Sequence, residues 1–172
     1  MATAQSMTKI SSEAKAVISP RGVERIRAGH FWIYRSDVRT AEGGPGCVVR
    51  LLDERGRFHG RAFYSDKSQI ALRLLARDDV PVDREFFMRR LEQAAAYRKV
   101  VVENTEAWRV VYSEADHLPS LIVDRYGDYL VMQTLSQGTE RHKDVFVDIL
   151  NEVFTPKGIL ERNDPRVRLL EG

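Results

Sequence analysis

Cysteine is almost missing from this 172-residue chain, which has only Cys47. One thiol forms no intrachain disulfide and no cysteine zinc cluster. No apolar run approaches the roughly 20 residues that a membrane-spanning helix needs. The opening stretch MATAQSMTKISSEAK lacks the apolar centre of a secretory signal. No G-x-G-x-x-G follows a strand, and there is no Walker-type phosphate loop. Gly43-Gly44-Pro45-Gly46 is glycine-rich, but it precedes a strand instead of opening a helix, which makes it a poor phosphate cradle. No HExxH or paired His/Cys set offers a metal site. These gaps argue against nucleotide, metal and membrane partners and leave the cytoplasm as the default compartment.

What is present is ordinary globular material. Hydrophobic residues make up 43% and charged residues 30%, enough for a core and unlike a disordered chain. The net charge of +2 hides an asymmetry. Residues 15–77 hold 13 Lys+Arg against 6 Asp+Glu, a net of +7; residues 78–172 hold 13 against 18, a net of −5. A basic first half suits a polyanion such as a nucleic acid. The plainer reading is a solvated, arginine-rich surface.

The periodicities divide the chain into a flexible N-terminus over 1–14, a β-rich module over 15–80 and a unit over 81–172. KAVIS (15–19), FWIY (31–34), CVVRLLD (47–53), FHGRAFY (58–64) and QIALRLLA (69–76) read as five strands. VERIRAGH after Pro20 reads as one amphipathic helical turn that stops at Gly29. Together these predict a small barrel-like sheet. Asp78-Asp79-Val80-Pro81-Val82 marks a seam, and Asp83 can cap a helix over REFFMRRLEQAAAYRKVVVEN. Phe87, Leu91, Ala94, Ala95 and Arg98 would form its packing stripe.

WRVVYS (108–113), LIVDRY (121–126) and DYLVMQTL (128–135) follow as strands, the last two joined at Gly127. Thr139 is expected to cap ERHKDVFVDILNEVF, and GILER (158–162) to add a strand before NDPRVRLLEG trails off. The fold class is α+β, with a second unit in the order helix, then β-β-β-α-β.

The chemistry lies in two places. In the basic module, Arg27, Arg35, Arg61, Lys67 and Arg73 are interleaved with His30, Trp32, Ser65, Ser68 and Gln69. Guanidinium forks bind phosphate oxygens, aromatic faces stack on unpaired bases, and short polar groups add hydrogen bonds. Phe31, Ile33 and Phe63 are expected to fill the barrel core. In the second unit, Glu114, Asp116 and His117 are three polar residues within four positions. They cannot all converge on one point without an unusual turn, so capping is favoured over proton transfer or metal binding. Asp124 alternates with Val123 and Arg125, and a salt bridge or domain contact is its plain role. Cys47 reads as a small packed thiol, not a nucleophile.

GHFWIYRSDV (29–38), GRFHGRAFYSDKSQIALRLL (56–75), SEADHLPSLIVDRYGDYLVMQTLS (113–136) and GILERNDPRVRLLEG (158–172) together resemble one family. It is the PUA-domain-containing, S-adenosylmethionine-dependent methyltransferases that make 5-methylcytosine in large-subunit ribosomal RNA. The resemblance implies a PUA RNA-binding domain, a middle α+β domain, and a Rossmann-like catalytic domain beginning after LLEG. It places the S-adenosylmethionine site and the nucleophilic cysteine in that third domain. It therefore implies no catalytic residue and no cofactor site in this chain, no role for Cys47, and no activity for the chain alone. Ribosomal RNA is the implied partner. Glu114, Asp116, Leu118, Pro119 and Asp124 would line an interdomain surface. His117 and Ser120 stand where the family is expected to carry small residues and glycine. Two readings outside this picture are a protein-interaction module, including a homodimer through an exposed sheet edge, and a free-standing RNA-modification accessory.

Overall fold

The computed structural model describes residues 13–163 and 165–171. Most of the lead-in expected to be flexible, residues 1–12, lies outside them. The chain is a mixed α/β protein built on two sheets.

The first sheet is curled and has six strands: β1 (Lys15–Ile18), β2 (Trp32–Tyr34), β3 (Val38–Ala41), β4 (Val48–Asp53), β5 (Phe58–Tyr64) and β6 (Ile70–Ala76). Their order is β2-β6-β5-β4-β1-β3, with β1 and β4 parallel and the other pairs antiparallel. Five of these strands carry the expected apolar signal. β3 does not, because VRTA has no alternation; its pairing with β1 makes it a strand. The β4–β5 hairpin is organised by Asp53, which accepts from the N–H groups of Arg55 and Arg57 at 2.9 Å each. Burial pushes this carboxyl up, yet those N–H groups and the His59 and Arg57 side chains hold it well below the usual range.

Helix α1 (Pro20–Arg27) starts on Ser19, whose hydroxyl accepts from the Gly22 N–H at 3.1 Å. It buries Val23 and Ile26 against Ile18, Ile33, Leu51 and Leu72.

The second unit opens with α2 (Arg84–Val101), capped by Asp83 through the Phe86 N–H at 2.9 Å. The strands β7 (Ala107–Tyr112), β8 (Leu121–Tyr126), β9 (Tyr129–Thr134) and β10 (Gly158–Glu161) form a sheet in the order β10-β9-β8-β7. α2 and α4 (Lys143–Phe154) pack with it around Leu91, Val111, Val123, Phe146 and Ile149. The expected long helix after β9 is two helices, α3 (Gln137–Arg141) and α4. Ser136, not Thr139, is the N-cap of α3; Thr139 is the reciprocal partner three residues on.

Two features go beyond the sequence reading. The second core takes in Phe63, Leu75 and Ala76 from the first sheet, so apolar packing crosses the 78–82 seam. The C-terminal residues also do not trail off. They form α5 (Pro165–Leu169), and Glu171 is buried. No described helix is long and apolar enough to cross a membrane.

Candidate nucleic-acid interface

β2 is an edge strand, paired with β6 on one side and open on the other. Gly29 adopts φ +92 after α1, a conformation that favours glycine, and so turns the chain into β2. Alternation along this strand buries Ile33 in the core and leaves Trp32 outside, 41% exposed. Arg27, His30, Lys67 and Gln69 are also exposed. Arg27 and His30 lie before the strand. Lys67 and Gln69 lie in the β5–β6 turn, at its far end, where the Arg35 N–H donates to the Gln69 carbonyl at 2.9 Å.

Five of the ten expected RNA-contacting residues are thus exposed along one strip of chain, β2 and its two ends. Arg35 ties the β5–β6 turn to β2, donating to the carbonyls of Ser65 at 2.9 Å and Ser68 at 2.7 Å.

The other four are used internally. Arg61 is paired with Glu13 at 2.5 Å and with Asp79 at 2.7 Å. Burial pulls its pKa down, but the hydrogen bonds it donates to those two carboxylates raise it overall. Ser65 is buried and donates to Glu171 at 2.7 Å. Ser68 is buried and accepts from the Ile70 N–H at 3.2 Å. Arg73 is buried against Glu171 at 2.8 Å.

Arg21, Arg39, Arg50 and Arg57 are likewise paired with carboxylates. The cationic surface is therefore not one continuous face. Among the described residues of 15–77, Arg27, Arg35, Arg55, Lys67 and Arg77 have no carboxylate within 4.0 Å, and of these Arg35 and Arg77 donate to backbone carbonyls.

Beside the strip lies a hollow of about 240 Å³, lined by Arg25, Gly29, His30, Phe31, Trp32, Tyr34 and Glu114. The Arg25 guanidinium sits 4.8 Å from the centre of the Tyr34 ring. Glu114 comes from the second unit and accepts from Trp32 Nε1–H at 2.7 Å. The His117 ring lies 5.4 Å from that of Phe31, a second contact between the units. Burial and the nearby Arg90 lower the His117 pKa.

Of the residues expected to form an interdomain surface, Glu114 hydrogen-bonds to the first unit, and Leu118 lies in the core that takes in Phe63, Leu75 and Ala76 from it. Asp116 accepts from Arg98 at 2.5 and 2.7 Å and from the Tyr112 N–H at 2.6 Å. Leu118 and Pro119 are buried, Leu118 within the second core. Asp124 is paired with Arg109 at 2.8 Å. Glu171 and Gln137, which join the units, have no local sequence signature. The Gln137 N–H donates to Glu171 at 3.2 Å, and its amide donates to Asp66 at 2.8 Å. Cys47 is half-buried, and burial pushes its thiol up.

Residues 17–77 match the family model described as a PUA-like domain. Proteins described as ribosomal RNA large subunit methyltransferase I are similar over most of the chain. The Tolumonas auensis protein is 38% identical over 148 residues, covering 83% of this chain and 37% of the relative. That of Vibrio cholerae is 36% identical over 151 residues, covering 86% and 38%. That of Alteromonas mediterranea is 35% identical over 164 residues, covering 92% and 41%. The chain thus spans about two-fifths of the length of these curated relatives.

Two solved structures share the fold at 18% identity. A proposed SAM-dependent methyltransferase from Streptococcus mutans aligns with a TM-score of 0.76 over 87% of this chain and 40% of its own. A proposed methyltransferase complexed with SAH aligns with 0.78 over 89% and 41%. Residues 17–77 match a PUA-like domain, and most of the chain is homologous to an N-terminal portion of ribosomal RNA large subunit methyltransferase I.

Proposed function

We propose that this chain is the RNA-binding and substrate-positioning part of a SAM-dependent ribosomal RNA (cytosine-5-)-methyltransferase. In this reading residues 15–80 hold ribosomal RNA, and residues 81–172 orient it toward a catalytic domain that lies elsewhere in the whole protein. The observation that carries the proposal is the strip of Arg27, His30, Trp32, Lys67 and Gln69 on the open edge of a PUA-like domain. Two cations without carboxylate partners supply phosphate contacts, and two aromatic rings supply stacking surfaces.

The methyl donor is assigned to another part of the protein. The capped helices α1, α2 and α3 open on Ser19, Asp83 and Ser136, not on the glycine-rich strand-to-helix turn that cradles a dinucleotide-like cofactor. The described residues do not fit that group, and the chain alone is expected to transfer no methyl.

Filter binding of a ribosomal RNA fragment over rising salt tests the proposal. Phosphate contacts make log K fall linearly with log salt. An affinity that does not change between low and moderate salt removes the phosphate contacts from the account.

A second reading rests on a different surface. Leu160, Leu169 and Leu170 are 62%, 79% and 73% exposed. Side chains this apolar and open suit a protein contact, either a second copy or another domain. Sedimentation separates the two: a concentration-dependent dimer that L160E abolishes supports self-association.

A further inference from the structure

The loop 113–120 combines backbone strain with dense internal support. Ser113, His117 and Ser120 all adopt left-handed backbone, with φ of +51, +56 and +64. Three non-glycine residues in that region within eight positions persist only where the surroundings over-determine them. Here they do. Asp116 is clamped by the Arg98 fork and the Tyr112 N–H. The Ser113 hydroxyl accepts from the Ser120 N–H at 2.8 Å and donates to Glu114 Oε2. The His117 N–H returns to the Glu114 carbonyl at 3.0 Å. The product is a fixed Glu114 carboxylate, aimed across the unit boundary at the hollow beside Trp32.

The hollow is smaller than the roughly 300–1,000 Å³ of sites for drug-sized ligands. It suits one ring system. Its walls are aromatic, and Arg25 stands over Tyr34. Its one carboxylate has room for another donor: Oε1 holds a single hydrogen bond, from Trp32, and a carboxylate oxygen accepts about two.

We propose that this hollow takes a single unstacked RNA base, and that Glu114 selects bases with an exocyclic amine by accepting its hydrogen. Cytosine N4, adenine N6 and guanine N2 donate to a carboxylate; the O4 of uracil does not, which leaves uracil only its ring N3–H as a donor. The inference rests on the RNA-binding reading and adds a specificity-determining residue to it, supplied by the second unit and not by the PUA-like domain.

The test uses the full chain carrying Trp108→Phe, which leaves Trp32 as the only tryptophan. Hexacytidylate and hexauridylate differ at the 4-position, amine against carbonyl, and at N3, acceptor against N–H donor; a dimethylated cytidine hexamer separates the two differences. Hexacytidylate should quench Trp32 fluorescence and bind about tenfold more tightly, the effect of one hydrogen bond to a charged group. A hexamer of N4,N4-dimethylcytidine, which has no donor there, should fall to the uridylate level. E114A, which removes the acceptor, should abolish the preference, with a thermal midpoint near that of the parent showing that the fold is kept.

Equal affinity for the first two oligomers overturns the proposal without relying on any variant. So does a preference that E114A retains. If neither hexamer binds while a structured ribosomal RNA fragment binds with the expected salt dependence, the base hollow fails and the RNA-binding reading stands. If no RNA binds at all, both fail.

Discussion

Arg73 Nη2 lies 2.8 Å from Glu171 Oε1, and both side chains are only 8% exposed. The pair joins the first sheet to the C-terminal end of the described chain. Ser65 and the Gln137 N–H donate to the other carboxylate oxygen. One carboxylate thus gathers three parts of the molecule.

Truncating Glu171 leaves Arg73 buried without its counter-charge. Removing one partner of a buried pair costs about 3–5 kcal/mol. E171A should therefore lower the thermal midpoint by roughly 6–20 °C, at about 2–4 °C per kcal/mol for a chain of this size. E171Q, which keeps hydrogen-bond acceptors, should lie in between. Thermal melts of the three proteins check this; an unchanged midpoint in E171A would show that the pair is dispensable.

The α3–β5 contact depends on a missing side chain. A Cβ on Gly138 would fall 2.2 Å from Cγ of Phe63. Phe63 is 2% exposed and is held by the Phe87 and His142 rings, so it has little room to move. G138A should destabilise by about 1–3 kcal/mol through overpacking. F63L combined with G138A should recover part of the combined loss, seen as non-additivity in a urea double-mutant cycle.

Stability should depend on pH near neutrality through His142. Its ring lies 5.1 Å from Phe63 and 5.5 Å from Phe87, and Nδ1 is 2.8 Å from the Gly138 carbonyl. Burial lowers its pKa below the ordinary 6.5, an effect that the Gly138 carbonyl only partly offsets. The unfolded chain therefore takes up a proton first as pH falls through 6.5. His142 stabilises the fold above that pH, and its contribution declines below it. The urea midpoint should fall between pH 7 and 5.5, and H142Q should flatten that part of the curve.

RNA affinity should separate exposed from internal arginines. R27A with K67A should weaken binding for every RNA sequence and reduce the salt slope by about 1–2, roughly one for each phosphate no longer neutralised. R61A removes a cation that is already paired with Glu13 and Asp79 and should leave the slope unchanged. Filter binding at several salt concentrations measures both. A larger effect from R61A would move the interface to the opposite part of the sheet.

Much of the fold is legible in the sequence, because its signals are local. The alternation in FHGRAFY gives β5 at its expected bounds, and LIVDRY gives β8. Asp83 caps α2 through a residue three positions away. β3 escapes such reading because VRTA has no pattern of its own and becomes a strand only beside β1. The candidate site is legible in part. Arg27, His30 and Trp32 sit next to the Gly29 turn and can be read as a group. The fates of Arg61 and Arg73 cannot be read this way, because their carboxylates lie far off in sequence.

The sequence by itself determined nine of the ten described strands, the Asp83 cap of α2, the excess of arginine in the first half and the family resemblance. Only the tertiary structure decided which of those arginines face solvent and which are neutralised. Strand periodicity and capping act over two to four residues, so neighbours in the chain suffice to specify them. Charge pairing acts through space. Arg73 meets a carboxylate 98 residues away, and Trp32 meets one 82 residues away. A count of charges along the chain registers neither meeting.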